Sequence, residues 1–149
     1  AGILWILLAA VLIAIPKTRK SGVIVMVALV FDVILCNGIL KNLVGRIRPC
    51  DINTAVQLLV PRPTDFSFPS GHTAASFTAV TALYCAGEKK LWKSSLVLAV
   101  LIAFSRLYLY VHYPTDILGG ILVGLLCGYI GSVAGKYLYK TAEKKLANR

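Results

Sequence analysis

The sequence predicts an all-α protein, built as a polytopic bundle of transmembrane helices. Three observations point there. Hydrophobic residues make up 58% of the 149-residue chain and charged residues only 15%, where a soluble domain carries roughly 25% charged residues. The apolar residues fall in long runs instead of alternating, the pattern of helices crossing hydrocarbon. The formal net charge of +10 is spread in short clusters between those runs, which fits membrane topology and argues against a nucleic-acid surface.

Five spans are visible. Residues 2–15 are wholly apolar and end at Pro16, but the run falls short of the ~20 residues a crossing helix needs. It reads as a span cut near its start. The chain opens on Ala1, its only methionine is Met26, and no basic n-region marks a signal peptide. A missing N-terminal segment is therefore expected. After a basic turn at 17–20, residues 22–40 form a second span interrupted by Asp32 and Asn37. Asp32 is expected to hydrogen-bond between helices. Segment 41–69 is polar, and Pro49, Pro61, Pro63 and Pro69 keep regular helix out of it. Residues 70–86, 94–110 and 117–139 supply the remaining spans, and the tail 140–149 is basic and helix-prone. A single membrane-embedded domain covers residues 1–149. Cys36, Cys50, Cys85 and Cys127 show no paired spacing and read as small packing residues.

Basic residues orient the bundle. Lys17, Arg19, Lys20, Lys89, Lys90, Lys93, Lys136, Lys140, Lys144, Lys145 and Arg149 fall on one side, and Lys41, Arg46, Arg48, Arg62 and Arg106 on the other. The richer side is cytoplasmic by the positive-inside rule. In the last span, Gly120, Gly124 and Gly128 recur every four residues, lining one face on which a neighbouring helix can approach closely.

The extracytoplasmic side collects Lys41, Arg48, Ser70, Gly71, His72, Arg106, His112 and Asp116, each at or near the end of a span. Ionisable groups at such places are functional candidates. Snorkelling of long stems into water accounts for Arg46 and Arg62 but not for the two histidines, which are too short. Pro114 suits the first turn of a helix, so the last span starts near it with Asp116 in its first turn. A carboxylate there can reach back to His112, fix one ring nitrogen as a donor and leave the other as a nucleophile or base. Ser70 is a good N-cap, Gly71 lets a ligand approach the backbone, and free N–H groups at a helix start bind anions. His72 can give a proton to a leaving oxygen. Lys41, Arg48 and Arg106 match phosphate oxygens, and phosphoryl transfer needs mainly positioning and charge compensation. Asp51, Asp65 and Asp116, the outer-side carboxylates, are too scattered for a two-metal cluster, so no metal or other cofactor is expected.

Lys41 with Arg48-Pro49, then Pro69-Ser70-Gly71-His72, then Ser105-Arg106 with His112 and Asp116, resemble the three-part signature of the type 2 phosphatidic acid phosphatase superfamily. The resemblance runs from about residue 3 to residue 139 and is closest to small bacterial members. Many of those have six spans, which implies a sixth in the full protein. The resemblance implies a lipid phosphatase of the bacterial plasma membrane with its site facing away from the cytoplasm. His112 would become a phosphohistidine, Asp116 would orient it, and His72 would protonate the departing oxygen and then help activate water. Lys41, Arg48 and Arg106, with Ser70 and the Gly71 amide, would hold the phosphate. Undecaprenyl diphosphate, phosphatidylglycerol phosphate and phosphatidic acid are the implied substrates, an isoprenoid carrier diphosphate first because the site faces outward. The bilayer and the lipid are the only partners implied. A vanadate-dependent haloperoxidase shares the anion pocket but is soluble, which the hydropathy opposes. An anion-binding or transport protein that kept the fold would be expected to lack a histidine, and both are present.

Overall fold

The computed structural model describes residues 2–147. Its first helix, α1 (Gly2–Ala14), stops ahead of Pro16, and the chain turns back into α2 (Arg19–Asp32). Thr18 Oγ1 donates to Leu12 O at 3.0 Å and Arg19 Nε to Ile13 O at 3.0 Å, capping carbonyls that the end of α1 leaves without partners. From Asp32 the rod continues through a π-helical stretch, Val33–Leu40, into α3 (Lys41–Val44). Gly45 ends it at φ 60°, a left-handed cap that glycine takes without steric cost. The short α4 (Pro49–Ile52) follows, then α5 (Gly71–Ala86), α6 (Leu91–Tyr108) and α7 (Pro114–Ala147). Among the described residues there is no strand.

These helices match the expected spans, with three differences in extent. Segment 41–69 holds two helical turns, because α3 prolongs the preceding rod and Pro49 takes the first position of α4, where its missing N–H is harmless. Helix α6 begins at Leu91, and α7 runs from Pro114 through the basic tail, where no glycine or proline interrupts it after Gly135. Arg149, assigned to the cytoplasmic side, and Ala1 lie outside the described residues. Three stretches, Arg19–Ile52, Leu91–Tyr108 and Pro114–Ala147, are long and apolar enough to cross a membrane, and Gly2–Ala14 is a shorter apolar helix.

The bundle is apolar outside, and many of its buried positions are small or polar beside a few large residues such as Trp5, Ile24 and Leu83. Leu7, Leu101, Phe104, Leu122 and Val133 are more than half exposed, while Ala9, Ala28, Ala79, Thr73, Ser76 and Ser132 are buried. Burial from water cannot drive helices together in lipid, so close packing and hydrogen bonds must. Trp5 Nε1 donates to Ser76 Oγ at 2.9 Å, joining α1 to α5, and Ser21 Oγ donates to Glu88 Oε1 at 2.7 Å. The hydrogen bond expected of the Asp32 side chain is not found among the described residues. Its Oδ1 is buried without a partner among the described residues, as is Thr78 Oγ1.

Helix α7 sets the spacing of its neighbours. Gly120, Gly124 and Gly128 face α5, where an added Cβ would fall 2.8 Å from Ser70 O, 2.7 Å from Ala74 O and 2.5 Å from Thr81 Cβ. Farther along, Gly131 and Gly135 face α2 instead, and a Cβ on Gly131 would lie 2.3 Å from Ala28 Cα. That neighbour is backbone and cannot step aside. Gly131→Val is expected to lower stability by about 2–3 kcal/mol or more through overpacking. The check is a thermal unfolding curve of detergent-purified protein, with Gly2→Ala as control because nothing lies within 4 Å of that position. Equal melting temperatures for the two variants would refute the packing account.

Candidate active site

Four chain segments converge at the end of the bundle where α3 stops and α5 and α7 begin. The Gly45 turn sends Arg46–Arg48 across the helix ends, and Pro49 holds Arg48 extended at φ −74°, ψ 152°. Ser67 N donates to Arg46 O at 2.8 Å, which pins the loop ahead of α5 to this segment. Ser70 N donates to Asp116 O at 3.0 Å and ties the head of α5 to the first turn of α7. At the end of α6 the chain reverses through Tyr110, whose φ of 58° is uncommon for a residue with a side chain. That reversal delivers His112.

His112 lies between two partners. Its Nε2 is 3.1 Å from Arg48 Nη1 and its Nδ1 is 3.5 Å from Asp116 Oδ2. A guanidinium only donates, so Nε2 is the ring's acceptor and Nδ1 carries the proton facing the carboxylate. Burial pushes the imidazole below its ordinary pKa, against the opposing effect of the Asp116 hydrogen bond. The ring is therefore neutral at pH 7, with a lone pair on Nε2.

Asp116 is fully buried and held from several directions. Oδ2 accepts from Ser67 Oγ at 2.5 Å and from Tyr113 N at 2.9 Å, and Oδ1 accepts from Arg46 Nη1 at 2.8 Å. Arg46 also donates to Thr115 Oγ1 at 2.6 Å and lies 4.0 Å from the centre of the Tyr113 ring. The snorkelling assigned to Arg46 is thus corrected: it is drawn onto the carboxylate behind His112. Arg62 likewise pairs with Asp51 Oδ1 at 2.7 Å, with both side chains partly exposed.

Arg48 is the most heavily bonded cation. It is 3% exposed, and besides His112 it donates to Val111 O at 2.8 Å, Asp65 O at 2.8 Å and Asp65 Oδ1 at 2.6 Å. Lys41 is also buried and pairs with Asp65 Oδ2. Desolvation raises the pKa of Asp65, but hydrogen bonds from Lys41 and Arg48 outweigh it and hold the carboxyl below its ordinary range. Arg106 reaches only the Ser105 hydroxyl among the described residues, through Nε and Nη2 at 3.2 Å each.

Lys41, Arg48, Gly71, His72, Arg106 and His112 line one cavity of about 80 Å³, with Asp65 in its wall. A neighbouring cavity of about 210 Å³ shares Lys41, Asp65, Gly71 and His72 and extends to Asn37 and Asp32. Two of the candidate residues stay behind the surface. Asp116 backs His112, and Ser70 is buried with its hydroxyl accepting from Thr73 Oγ1 at 3.0 Å. Ser70 stands at the N-cap position of α5, yet its side chain makes no cap hydrogen bond. Larger cavities elsewhere, such as the apolar groove of about 420 Å³ between α1 and α6, have no comparable cluster of charge.

Three residues join the site that the sequence did not single out for it: Arg46, Asp65 and Ser67. Their only sequence signal is proximity, because Arg46 stands two residues before Arg48, and Asp65 and Ser67 lie just ahead of Pro69-Ser70-Gly71-His72. Among the described residues no group of three or more His, Cys, Asp or Glu side chains is arranged to hold a metal ion.

Comparison with known proteins agrees with the residue pattern. The family model described as PAP2 superfamily matches residues 21–140. An undecaprenyl-diphosphatase from Sulfolobus acidocaldarius is 34% identical over 120 residues, which are 80% of this chain and 58% of that protein. A decaprenylphosphoryl-5-phosphoribose phosphatase from Mycobacterium tuberculosis is 35% identical over 132 residues, 88% of this chain and 71% of that protein. Among solved structures, the transmembrane PAP2-type phosphatidylglycerolphosphate phosphatase from Bacillus subtilis superposes with a TM-score of 0.67 at 30% identity, covering 90% of this chain and 68% of that one. The chain spans 58%, 41% and 45% of the length of the first three curated relatives.

Proposed function

Because the chain belongs to the PAP2 superfamily, we propose that it hydrolyses the phosphate or diphosphate ester of a membrane lipid, using the cavity at the heads of α5 and α7. One observation carries the reading. His112, with Nδ1 turned to Asp116, shares a single cavity with His72 and with Lys41, Arg48 and Arg106. A nucleophile, a proton donor and three cations are what phosphoryl transfer needs.

The geometry supports the following course. The phosphate enters among Lys41, Arg48 and Arg106, whose charges spread over its non-bridging oxygens. Nε2 of His112 attacks phosphorus, so a P–N bond forms as the bond from phosphorus to the lipid oxygen breaks. The positive charge that develops on the ring is stabilised by Asp116 through Nδ1–H. His72 gives its proton to the departing oxygen. Water then attacks phosphorus and returns a proton to His72; the P–N bond breaks, the electron pair goes back to Nε2, and inorganic phosphate leaves. The protein's cations compensate the anionic oxygens throughout.

The uneven spread of basic clusters supports a site on the side of a cell membrane facing away from the cytoplasm. The relatives' substrates point to polyprenyl and glycerol lipids, and we favour an isoprenoid diphosphate. The test is release of inorganic phosphate by the purified chain from undecaprenyl diphosphate, phosphatidylglycerol phosphate and phosphatidic acid, each with excess EDTA. Turnover of at least one lipid, inhibited by orthovanadate, is expected. Activity abolished by the chelator would refute the protein-cation mechanism, and highest turnover on a glycerolipid would refute the isoprenoid preference.

A further inference from the structure

Two of the three cations assigned to phosphate already hold a carboxylate. Asp65 accepts from Lys41 Nζ through Oδ2 and from Arg48 Nη2 through Oδ1, and its backbone oxygen accepts from Arg48 Nε. We propose that Asp65 is the resident counter-anion of the phosphate site. Its side chain pairs with Lys41 and Arg48 before substrate binds, the incoming phosphate displaces it, and that exchange sets the affinity for substrate. This inference rests on the lipid-phosphatase reading of the same cavity.

Burial explains why the exchange runs in this direction. The side chains of Lys41 and Arg48 are 7% and 3% exposed, whereas that of Asp65 is 53% exposed. A buried cation without an anion is strongly unfavourable, so these two need a compensating charge. A half-exposed carboxylate can return to water at little expense; the cations cannot. Asp65 also stands in segment 61–70, outside any helix, with Thr64 and Phe66 exposed beside it. The mobile partner of the pair is therefore the anion.

Chemistry makes the two anions interchangeable. Carboxylate and phosphate oxygens are both acceptors for a guanidinium fork and an ammonium. A phosphate can thus take over Lys41 and Arg48 without moving them. It cannot share them comfortably, because Asp65 forms part of the same cavity wall, and two anions in contact there repel. The exchange also bears on the nucleophile. Arg48 Nη1 lies 3.1 Å from Nε2 of His112. Once phosphate takes the Arg48 Nη1 donor, the Nε2 lone pair is free to attack.

The experiment measures binding of inorganic phosphate to the full chain in detergent by thermal shift, a readout independent of turnover. Asp65→Asn keeps the shape and removes the charge. It is expected to bind phosphate on the order of tenfold more tightly than the wild type, since a repelling neighbour is gone. Equal or weaker binding overturns the proposal. Should Asp65→Asn fail to fold, Thr64→Cys retains Asp65 and reports on the loop. Its exposed thiol is expected to be alkylated faster with phosphate present, and an unchanged or slower rate overturns the displacement. A wild type that binds no phosphate overturns this inference and the lipid-phosphatase reading together; a wild type that binds, with an Asn variant no tighter, overturns only the role of Asp65.

Discussion

His112→Ala is expected to reduce lipid-phosphate turnover by at least ~10³-fold, because losing a nucleophile removes the covalent route and leaves only binding and charge compensation. At 1.36 kcal/mol per tenfold, that is a rise of about 4 kcal/mol or more in the barrier. The ring is an acceptor for Arg48 Nη1 at 3.1 Å, and its other nitrogen faces Asp116. Alanine removes both contacts while leaving Arg48 four other acceptor contacts, to the main chain of Asp65, Phe66 and Val111 and the Asp65 side chain. The pocket should therefore persist, and inorganic phosphate should still bind. The measurements are phosphate release and acid-labile phosphate on the denatured protein after rapid quenching. Retention of turnover within threefold of wild type, or of an equal yield of phosphoenzyme, would remove His112 from the role of nucleophile.

Asp116→Asn is expected to cost about 10²–10⁴ in turnover through the tautomer of His112. Three groups other than the histidine donate to this carboxylate: Ser67 Oγ, Tyr113 N and Arg46 Nη1. A carboxamide has one oxygen and one NH2. If the oxygen stays with Ser67 and Tyr113, the NH2 meets the Arg46 guanidinium. If the amide flips, the NH2 faces His112, which then accepts at Nδ1, moves its proton to Nε2 and loses the nucleophilic lone pair. Either orientation disturbs the site, and the second disables it. Turnover should fall far more than the melting temperature, and inorganic phosphate should bind as in the wild type. Full activity in Asp116→Asn would sink the assignment of Asp116 as the group that sets the ring.

Much of the fold was legible because membrane insertion imposes a coarse code. A helix must offer hydrocarbon a run of apolar residues, and the loops must carry the charge. That code located five helices, the breaks at Pro16 and His112, and the α7 glycine face. It could not show that Gly131 and Gly135 serve a different neighbour from Gly124, since helical periodicity reports a face and not its partner. It marked the tail as helix-prone, and α7 continues through it to Ala147.

The eight candidate site residues were legible for a related reason. Six of them are ionisable groups at the ends of apolar runs, where such groups are costly and so mark candidates before any contact is known; Ser70 and Gly71 stand out as the start of a helix that can bind an anion. Arg46, Asp65 and Ser67 escaped because each is ordinary in its local context: a basic residue near an interface, an aspartate in a loop, a serine before Phe-Pro. Sequence by itself determined a set of histidines and cations at the ends of the apolar runs, suited to a phosphate. Only the tertiary structure decided that Arg46 and Ser67 hold Asp116 and that Asp65 occupies Lys41 and Arg48. Those pairings form across 17 to 70 residues of chain. They depend on where the Gly45 turn and the α6–α7 reversal bring the segments together, and no local pattern encodes that meeting.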